Sequence, residues 1–266
     1  MFSLAPATET PSDRYVIYTA NINATLQNCG CGKIPLGGID RIKTLVDSFR
    51  AVHPGVILLD GGDFLNSYPF PELNKATLNA LDRLMYTFLV PGEHEFVAGF
   101  EMVKQHFEGN LLLSNIRWNE NPGTISEYLT GNLRFRAVID VGCFERIDLP
   151  GGRINPDLSN IISDQRSDSV YDIVVYHGSL NHIFEGSFDV QGAGMILLAH
   201  DQYSGVQYVS GVPVVGAGKD GEQIVIITIS ERFETEIRHI KITERIKPDP
   251  AVVRISRQLD QEMGRN

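Results

Sequence analysis

The chain has 266 residues, of which 42% are hydrophobic and 21% are charged. This length favours one large α/β domain whose core needs neither disulfides nor oligomerisation for stability. Acidic residues number 33 against 23 basic ones, which gives a net charge of −10. That balance argues against a nucleic-acid partner. No apolar run approaches the roughly 18 residues of a membrane-spanning helix, so no membrane span is expected.

The N-terminal segment, residues 1–13, is polar and contains prolines, and we expect a loose lead before a single domain over residues 14–266. The segment lacks a basic stretch followed by an apolar one, so it does not resemble a signal peptide. The sequence is therefore compatible with more than one cellular compartment. It is periplasmic or otherwise extracytoplasmic if a leader was removed, and cytoplasmic if none was.

Strands and helices alternate over the first half of the chain. Residues 15–18 begin a strand, apolar residues at helical spacing predict a helix over 39–49, and a fully apolar strand follows at 56–59. A second helix is predicted around residues 78–85, before a short strand at 87–90. The first half is therefore typical of an α/β protein.

The second half is richer in strands. The strands predicted there cover residues 110–115, 133–140, 172–177, 194–199 and a run from about 206 to 244. A closing helix is predicted around residues 252–259. Alternation followed by a β-rich half indicates an α/β fold with mixed sheets covered by helices.

Polar side chains follow five of the predicted strands, at the point where each strand ends. These residues are Asn21 and Asn23, Asp63, Glu93 and His94, His177, and His200 and Gln202. Because the carboxyl ends of strands in α/β sheets lie along one edge, where ligands usually bind, we expect these side chains to converge. Three histidines and two carboxylates predict a metal or acid–base site.

Each of these residues also has a simpler interpretation. Asp63 follows two glycines, as in an ordinary turn, and His94 between two glutamates suits a solvated loop. A single histidine at a strand end, such as His177 or His200, is more often structural than a ligand. The recurrence of the pattern at five strand ends favours the site.

Five motifs occur in a fixed order along the chain. They are Asn21-Ile22-Asn23, Gly62-Asp63, Gly92-Glu93-His94-Glu95, His177 and Ala199-His200-Asp201-Gln202. In order and spacing they resemble the calcineurin-like metallophosphoesterases, specifically the catalytic domain of the 5′-nucleotidase branch, whose pattern is Asp-x-His, Gly-Asp, Gly-Asn-His-Glu, a lone His and Gly-His-x-His. The resemblance extends from about residue 14 to residue 245.

The resemblance implies a four-layer α/β/β/α sandwich, two mixed sheets flanked by helices, with a two-metal site that activates water and clamps phosphoryl oxygens. It assigns one metal to Asp63, Glu93, His177 and His200. It also implies that His94 acts on the substrate as an acid or a charge stabiliser.

In the family pattern, three ligands bind only the other metal, and Asn21, Asn23 and Gln202 occupy their positions here. Neutral amides are weak donors for a divalent transition metal, so we expect one divalent ion, zinc, manganese or iron. Two ions, or none, are the alternatives. Cys29 and Cys31 lie just beyond the two asparagines and are candidate accessory thiols for zinc, although ordinary loop thiols are the simpler interpretation.

Two functions remain open. The chain is either a metal-dependent phosphoric ester hydrolase, with His94 near the leaving group, or a catalytically inactive module of the same fold that serves as a binding or assembly subunit. The expected partner is accordingly a small phosphorylated substrate or a protein. In the resembled 5′-nucleotidases a separate C-terminal domain grips the base, and with Asn266 as the last residue we expect no such domain here.

Overall fold

The computed structural model of the chain describes residues 13–28, 35–68, 70–118, 123–140, 142, 152–154 and 169–265, with backbone only at 117–118 and 152–154. Cys29, Cys31 and nearly all of the predicted N-terminal lead lie outside the described residues. No helix within the described ranges is both long enough and apolar enough to cross a membrane.

Five helices and fifteen strands are described. The helices are α1 Ile39–Val52, α2 Pro71–Leu84, α3 Glu93–His106, α4 Leu180–Phe184 and α5 Pro250–Glu262. The strands are β1 Arg14–Thr19, β2 Ile57–Asp60, β3 Phe88–Leu89, β4 Leu111–Leu112, β5 Ile116–Trp118, β6 Thr124–Ile125, β7 Tyr128–Thr130, β8 Leu133–Ile139, β9 Gly152–Ile154, β10 Tyr171–Gly178, β11 Met195–His200, β12 Ser204–Val209, β13 Val212–Ala217, β14 Gln223–Ile229 and β15 Thr235–Lys241.

Local sequence signals explain where several helices begin and end. The side chain of Asp249 accepts hydrogen bonds from the backbone N–H groups of Ala251 and Val252, and Pro250 occupies the first turn of α5. Met85 closes α2 in a left-handed conformation. Helix α1 buries one face, so its stability comes from packing on the sheet.

The strands form two mixed sheets and one small ribbon. The larger sheet has the order β15-β14-β1-β2-β3-β4-β6, and the smaller one the order β12-β13-β11-β10-β8-β7. Strands β1, β2, β3, β4 and β6 run parallel, as do β8, β10, β11 and β13. Antiparallel strands continue the larger sheet on one side of its parallel group and the smaller sheet on both sides, and β5 pairs only with β9 among the described residues.

The two sheets stack face to face. Along β10, Ile173 and Val175 belong to the main core, whereas Val174 and Tyr176 belong to a second cluster on the opposite face near α4. This alternation means that the smaller sheet is covered on both sides. A buried hydrogen bond of 2.7 Å from the hydroxyl of Tyr18 to the carbonyl of Leu198 links the sheets.

The predicted fold class, two mixed sheets flanked by helices, is confirmed. The strands predicted around residues 56–59, 133–140, 172–177 and 194–199 are present, as are the first two helices and the closing helix. Helix α3 was not predicted, because its sequence carries a glycine, Gly99, and no long run of apolar residues at helical spacing.

Candidate functional site

The candidate site lies where the ends of β2, β10 and β11 meet the start of α3. Asp63 follows β2 by three residues, His177 is near the end of β10, and His200 is the last residue of β11. Glu93 and His94 open α3, directly after the loop that leaves β3. The solvated loop considered for His94 is therefore the first turn of a helix.

The Asp63 carboxylate lies between two imidazole rings. Its Oδ1 is 3.5 Å from Nε2 of His177, and its Oδ2 is 3.9 Å from Nδ1 of His200. Nδ1 of His200 is also 3.6 Å from Oε2 of Glu93. These separations are longer than an ordinary hydrogen bond, and the groups face one another across a common space.

The dimensions of this space suit a metal ion. Ligand atoms held about 2.1 Å from an ion in tetrahedral geometry stand about 3.4 Å apart, close to the separations measured here. Asp63, His177 and His200 form one group whose ligand atoms all lie within 4.8 Å of one another, and Asp63, Glu93 and His94 form a second group. Among the described residues, the buried Nδ1 of His200 has no hydrogen-bond partner. Asp63 is common to both groups.

The ring of His177 is fixed in a tautomer that can bind a metal. Its Nδ1 lies 2.9 Å from the carbonyl oxygen of Gly61, and since a carbonyl only accepts, Nδ1 carries the hydrogen. Nε2 therefore presents its lone pair toward Asp63. Burial lowers the pKa of His177, and the neighbouring Asp63 carboxylate partly opposes that shift.

His94 is held at the rim of the site. Its backbone N–H donates to Oδ1 of Asp63 at 3.1 Å, and its ring Nδ1 donates to the carbonyl of Leu65 at 3.0 Å. Its Nε2 is 4.0 Å from Oε1 of Glu93. The helix N-terminus thus stabilises the Asp63 charge, while Nε2 remains available for a ligand.

Glu95 is a positioning residue whose role the motif Gly92-Glu93-His94-Glu95 did not predict. Its fully buried carboxylate accepts backbone hydrogen bonds from Asp63 at 2.9 Å, Leu65 at 2.7 Å and Gly92 at 2.7 Å. Burial raises the pKa of Glu95, and repulsion from Asp63 adds to the shift. Its place three residues after Gly92, at the start of a helix, was the available signal.

A second buried carboxylate shapes the turn that carries Asp63. Asp60 accepts hydrogen bonds from the Thr19 hydroxyl at 2.6 Å and from the Gly62 N–H at 2.8 Å. Burial raises the pKa of Asp60 to about 7. Asp60 is therefore a structural acid beneath the site.

Glycine is required where the backbone approaches the candidate ligands. A Cβ at Gly92 would lie 2.3 Å from Cε1 of His177 and 2.4 Å from Oδ1 of Asp63. A Cβ at Gly62 would lie 2.6 Å from Nδ1 of His177, and Gly62 also has a positive φ of 110°. Both glycines admit the ring of His177.

Asn21 and Asn23, at the positions that the resemblance assigns to the other metal, are engaged in hydrogen bonds. Asn21 contacts the backbone of His200, Asp201 and Gly218, and Asn23 donates to the side chain of Asp220. Gln202 is exposed.

Comparison with known proteins identifies the family. The model of the calcineurin-like phosphoesterases matches residues 34–211. The chain belongs to this family, which uses divalent metal ions, and the resemblance inferred from the five motifs is confirmed. No match was found among curated protein sequences.

Solved structures of similar fold include three larger enzymes. A 5′-nucleotidase precursor from Thermus thermophilus has 15% identity and a TM-score of 0.77, with 94% of this chain and 59% of that chain covered. An NAD nucleotidase from Haemophilus influenzae has 10% identity and a TM-score of 0.76, with 95% and 60% covered. A sulfate thiohydrolase from Thermus thermophilus has 13% identity and a TM-score of 0.76, with 97% and 62% covered. The chain thus spans about three fifths of each, and the likeness concerns the fold.

Proposed function

We propose that the protein binds one divalent metal ion through Asp63, Glu93, His177 and His200 and hydrolyses a phosphate ester. The observation that carries the proposal is the space between Asp63 and the two imidazoles, with separations of 3.5 and 3.9 Å. Two carboxylates balance the charge of a dication, and two imidazoles suit zinc, manganese or iron. Family membership supports the reaction class.

The ligand side chains are preorganised by their neighbours. Asp63 is held through its own N–H by Glu95 and through its carboxylate by the N–H of His94. His177 is held by the carbonyl of Gly61. Such contacts around a metal site orient the ligands and raise affinity.

His94 is suited to act on the substrate. Because its Nδ1–H is committed to the carbonyl of Leu65, only Nε2 is available, and the protonated ring can donate from there to a phosphoryl oxygen or a leaving-group oxygen. A divalent ion held at the site supplies Lewis acidity and lowers the pKa of water. With a single cation we expect slower turnover than at a two-metal centre.

Metal titration tests the first half of the proposal. Protein purified under reducing conditions and stripped with chelator should take up one equivalent of Zn²⁺ or Mn²⁺ by calorimetry. The His200→Ala variant should lose this binding, whereas the matched His106→Ala variant, outside the site, should retain it. Two tight equivalents, or binding that survives His200→Ala, would overturn the one-ion assignment.

Hydrolysis tests the second half. The metal-loaded protein should cleave aryl phosphate monoesters or diesters, and His94→Ala should lower the rate about 100-fold or more while one metal equivalent remains bound. The competing function, an inactive binding or assembly module, is favoured by the hydrogen-bonded Asn21 and Asn23 at former ligand positions. Full metal binding with no hydrolysis above the His94→Ala level would select it.

A further inference from the structure

The side chain of Asn21 joins three separate segments of the chain at the edge of the site. Its Oδ1 accepts the backbone N–H of His200 at 3.1 Å, and its Nδ2 donates to the carbonyls of Asp201 at 3.1 Å and Gly218 at 2.9 Å. Its own backbone is bonded to Gly62 and Asp220. Asn21 is 2% exposed, and its hydrogen bond to Gly218 is buried.

These contacts act on a strained residue. His200 has a φ of 70°, in the left-handed region that costs a non-glycine residue free energy. The hydrogen bond from its N–H to Asn21 holds that conformation. The same conformation places Nδ1 of His200 3.6 Å from Glu93 and 3.9 Å from Asp63.

We propose that Asn21 is a positioning residue that fixes the backbone of His200 so that its ring faces Asp63 and Glu93. This inference rests on the proposed function, in which His200 is a metal ligand. In this role Asn21 acts through His200, whose backbone N–H its carbonyl oxygen accepts.

Only a carboxamide fits this role. The side chain must accept one hydrogen bond and donate two, and an asparagine amide does both at once. A carboxylate at this position could accept from His200 but would face the carbonyl oxygens of Asp201 and Gly218 without a hydrogen to offer. The geometry therefore selects asparagine for its donors.

The neighbouring Asn23 reinforces the same arrangement. Its Nδ2 donates to the backbone carbonyl of Asn21 at 3.0 Å and to Oδ1 of Asp220 at 2.9 Å. Asn23 therefore holds the backbone of Asn21. It also holds the loop around Asp220, which contains Gly218, an acceptor for the Asn21 side chain.

The test uses the whole chain with two substitutions at Asn21. Asn21→Gly removes the amide yet still tolerates the φ of 51°, so it separates the side chain from the backbone conformation. Asn21→Asp keeps the acceptor and removes both donors. Asn79→Ala, at an exposed position of α2, is the matched control.

Three quantities are measured: Zn²⁺ affinity and stoichiometry by calorimetry, the visible spectrum of the Co²⁺-substituted protein, and hydrogen exchange of the His200 amide in metal-free protein. We expect Asn21→Gly to weaken Zn²⁺ binding about 10-fold or more, to alter the Co²⁺ spectrum and to speed His200 exchange. Asn21→Asp should bind no second equivalent. Asn79→Ala should match the wild type in all three.

The outcomes separate this inference from the proposed function. If the wild type binds metal and Asn21→Gly binds it equally well with an unchanged Co²⁺ spectrum, the positioning role is overturned and the proposed function stands. A second tight equivalent in Asn21→Asp also overturns it. If the wild type binds no metal, the proposed function fails, and unchanged exchange of the His200 amide in Asn21→Gly then rejects the positioning role as well.

Discussion

Replacing Gly92 with alanine should disrupt the candidate site by steric overlap alone. Gly92 has a φ of −95° and a ψ of −170°, which alanine adopts without strain, so the backbone is not perturbed. The new Cβ would lie 2.3 Å from Cε1 of His177, 2.4 Å from Oδ1 of Asp63 and 2.7 Å from Nε2 of His177. The whole effect therefore falls on two candidate ligands.

The size of the effect follows from the overlap. Carbon atoms in contact normally stand about 3.5–4.0 Å apart, so His177 and Asp63 must each retreat by about 1 Å. Both are buried, and forcing an extra methyl into a packed interior costs about 1–3 kcal/mol. A displacement of this size also exceeds the tolerance of a metal site, about 0.5 Å, so affinity should fall at least 10-fold.

Urea unfolding and Zn²⁺ calorimetry measure the two consequences. Gly55→Ala is the matched control, because a Cβ at Gly55 meets nothing within 4 Å. If Gly92→Ala unfolds at the wild-type urea concentration and binds Zn²⁺ with wild-type affinity, the packing around His177 described above is wrong.

Three further predictions concern charged residues. Asp172→Ala should lower the free energy of unfolding by about 3–5 kcal/mol in urea titrations, because it leaves the buried guanidinium of Arg136 without the carboxylate 3.1 Å away. Hydrogen bonding to Asp140 raises the pKa of His182, so this bond stabilises fully below pH about 6.5 and is lost as the pH rises through the raised value. The melting temperature of the wild type should therefore exceed that of His182→Ala most near pH about 5–6. The difference should be small, because the His182 side chain is 42% exposed, and it should disappear in alkaline buffer. Glu95→Gln should cost about 1–3 kcal/mol and weaken Zn²⁺ binding, since one amide hydrogen of glutamine would face a backbone N–H.

Matched variants control these experiments. Glu101→Gln lies on the same helix as Glu95 with an exposed side chain, and Asp189→Ala removes an exposed carboxylate from a loop. Both should unfold like the wild type. If Glu101→Gln loses as much stability as Glu95→Gln, or Asp189→Ala as much as Asp172→Ala, the role given to Glu95 or Asp172 is wrong. If the difference in melting temperature between the wild type and His182→Ala widens above pH about 8, the role given to His182 is wrong.

The sequence alone determined the architecture and the location of the candidate site. Strand and helix signals are local, since they depend on alternation and spacing within about ten residues, and so the α/β class and the main strands could be predicted. Polar residues at strand ends could also be identified, because parallel strands bring their carboxyl ends to one edge. His177 and His200 lie near the ends of neighbouring parallel strands, as that rule predicts. Asp63 follows a strand of the other sheet and meets them because the two sheets stack.

Only the tertiary structure decided what each polar residue contacts. Asn21 and His200 are 179 positions apart, and their hydrogen bond depends on how the two sheets stack. From the sequence, the resemblance predicts only that Asn21 stands at a ligand position where an amide is a weaker donor than a carboxylate. In the structure its amide supplies two donors that a carboxylate lacks. The role of Glu95 likewise depends on three backbone N–H groups meeting at one buried point, which no local pattern encodes.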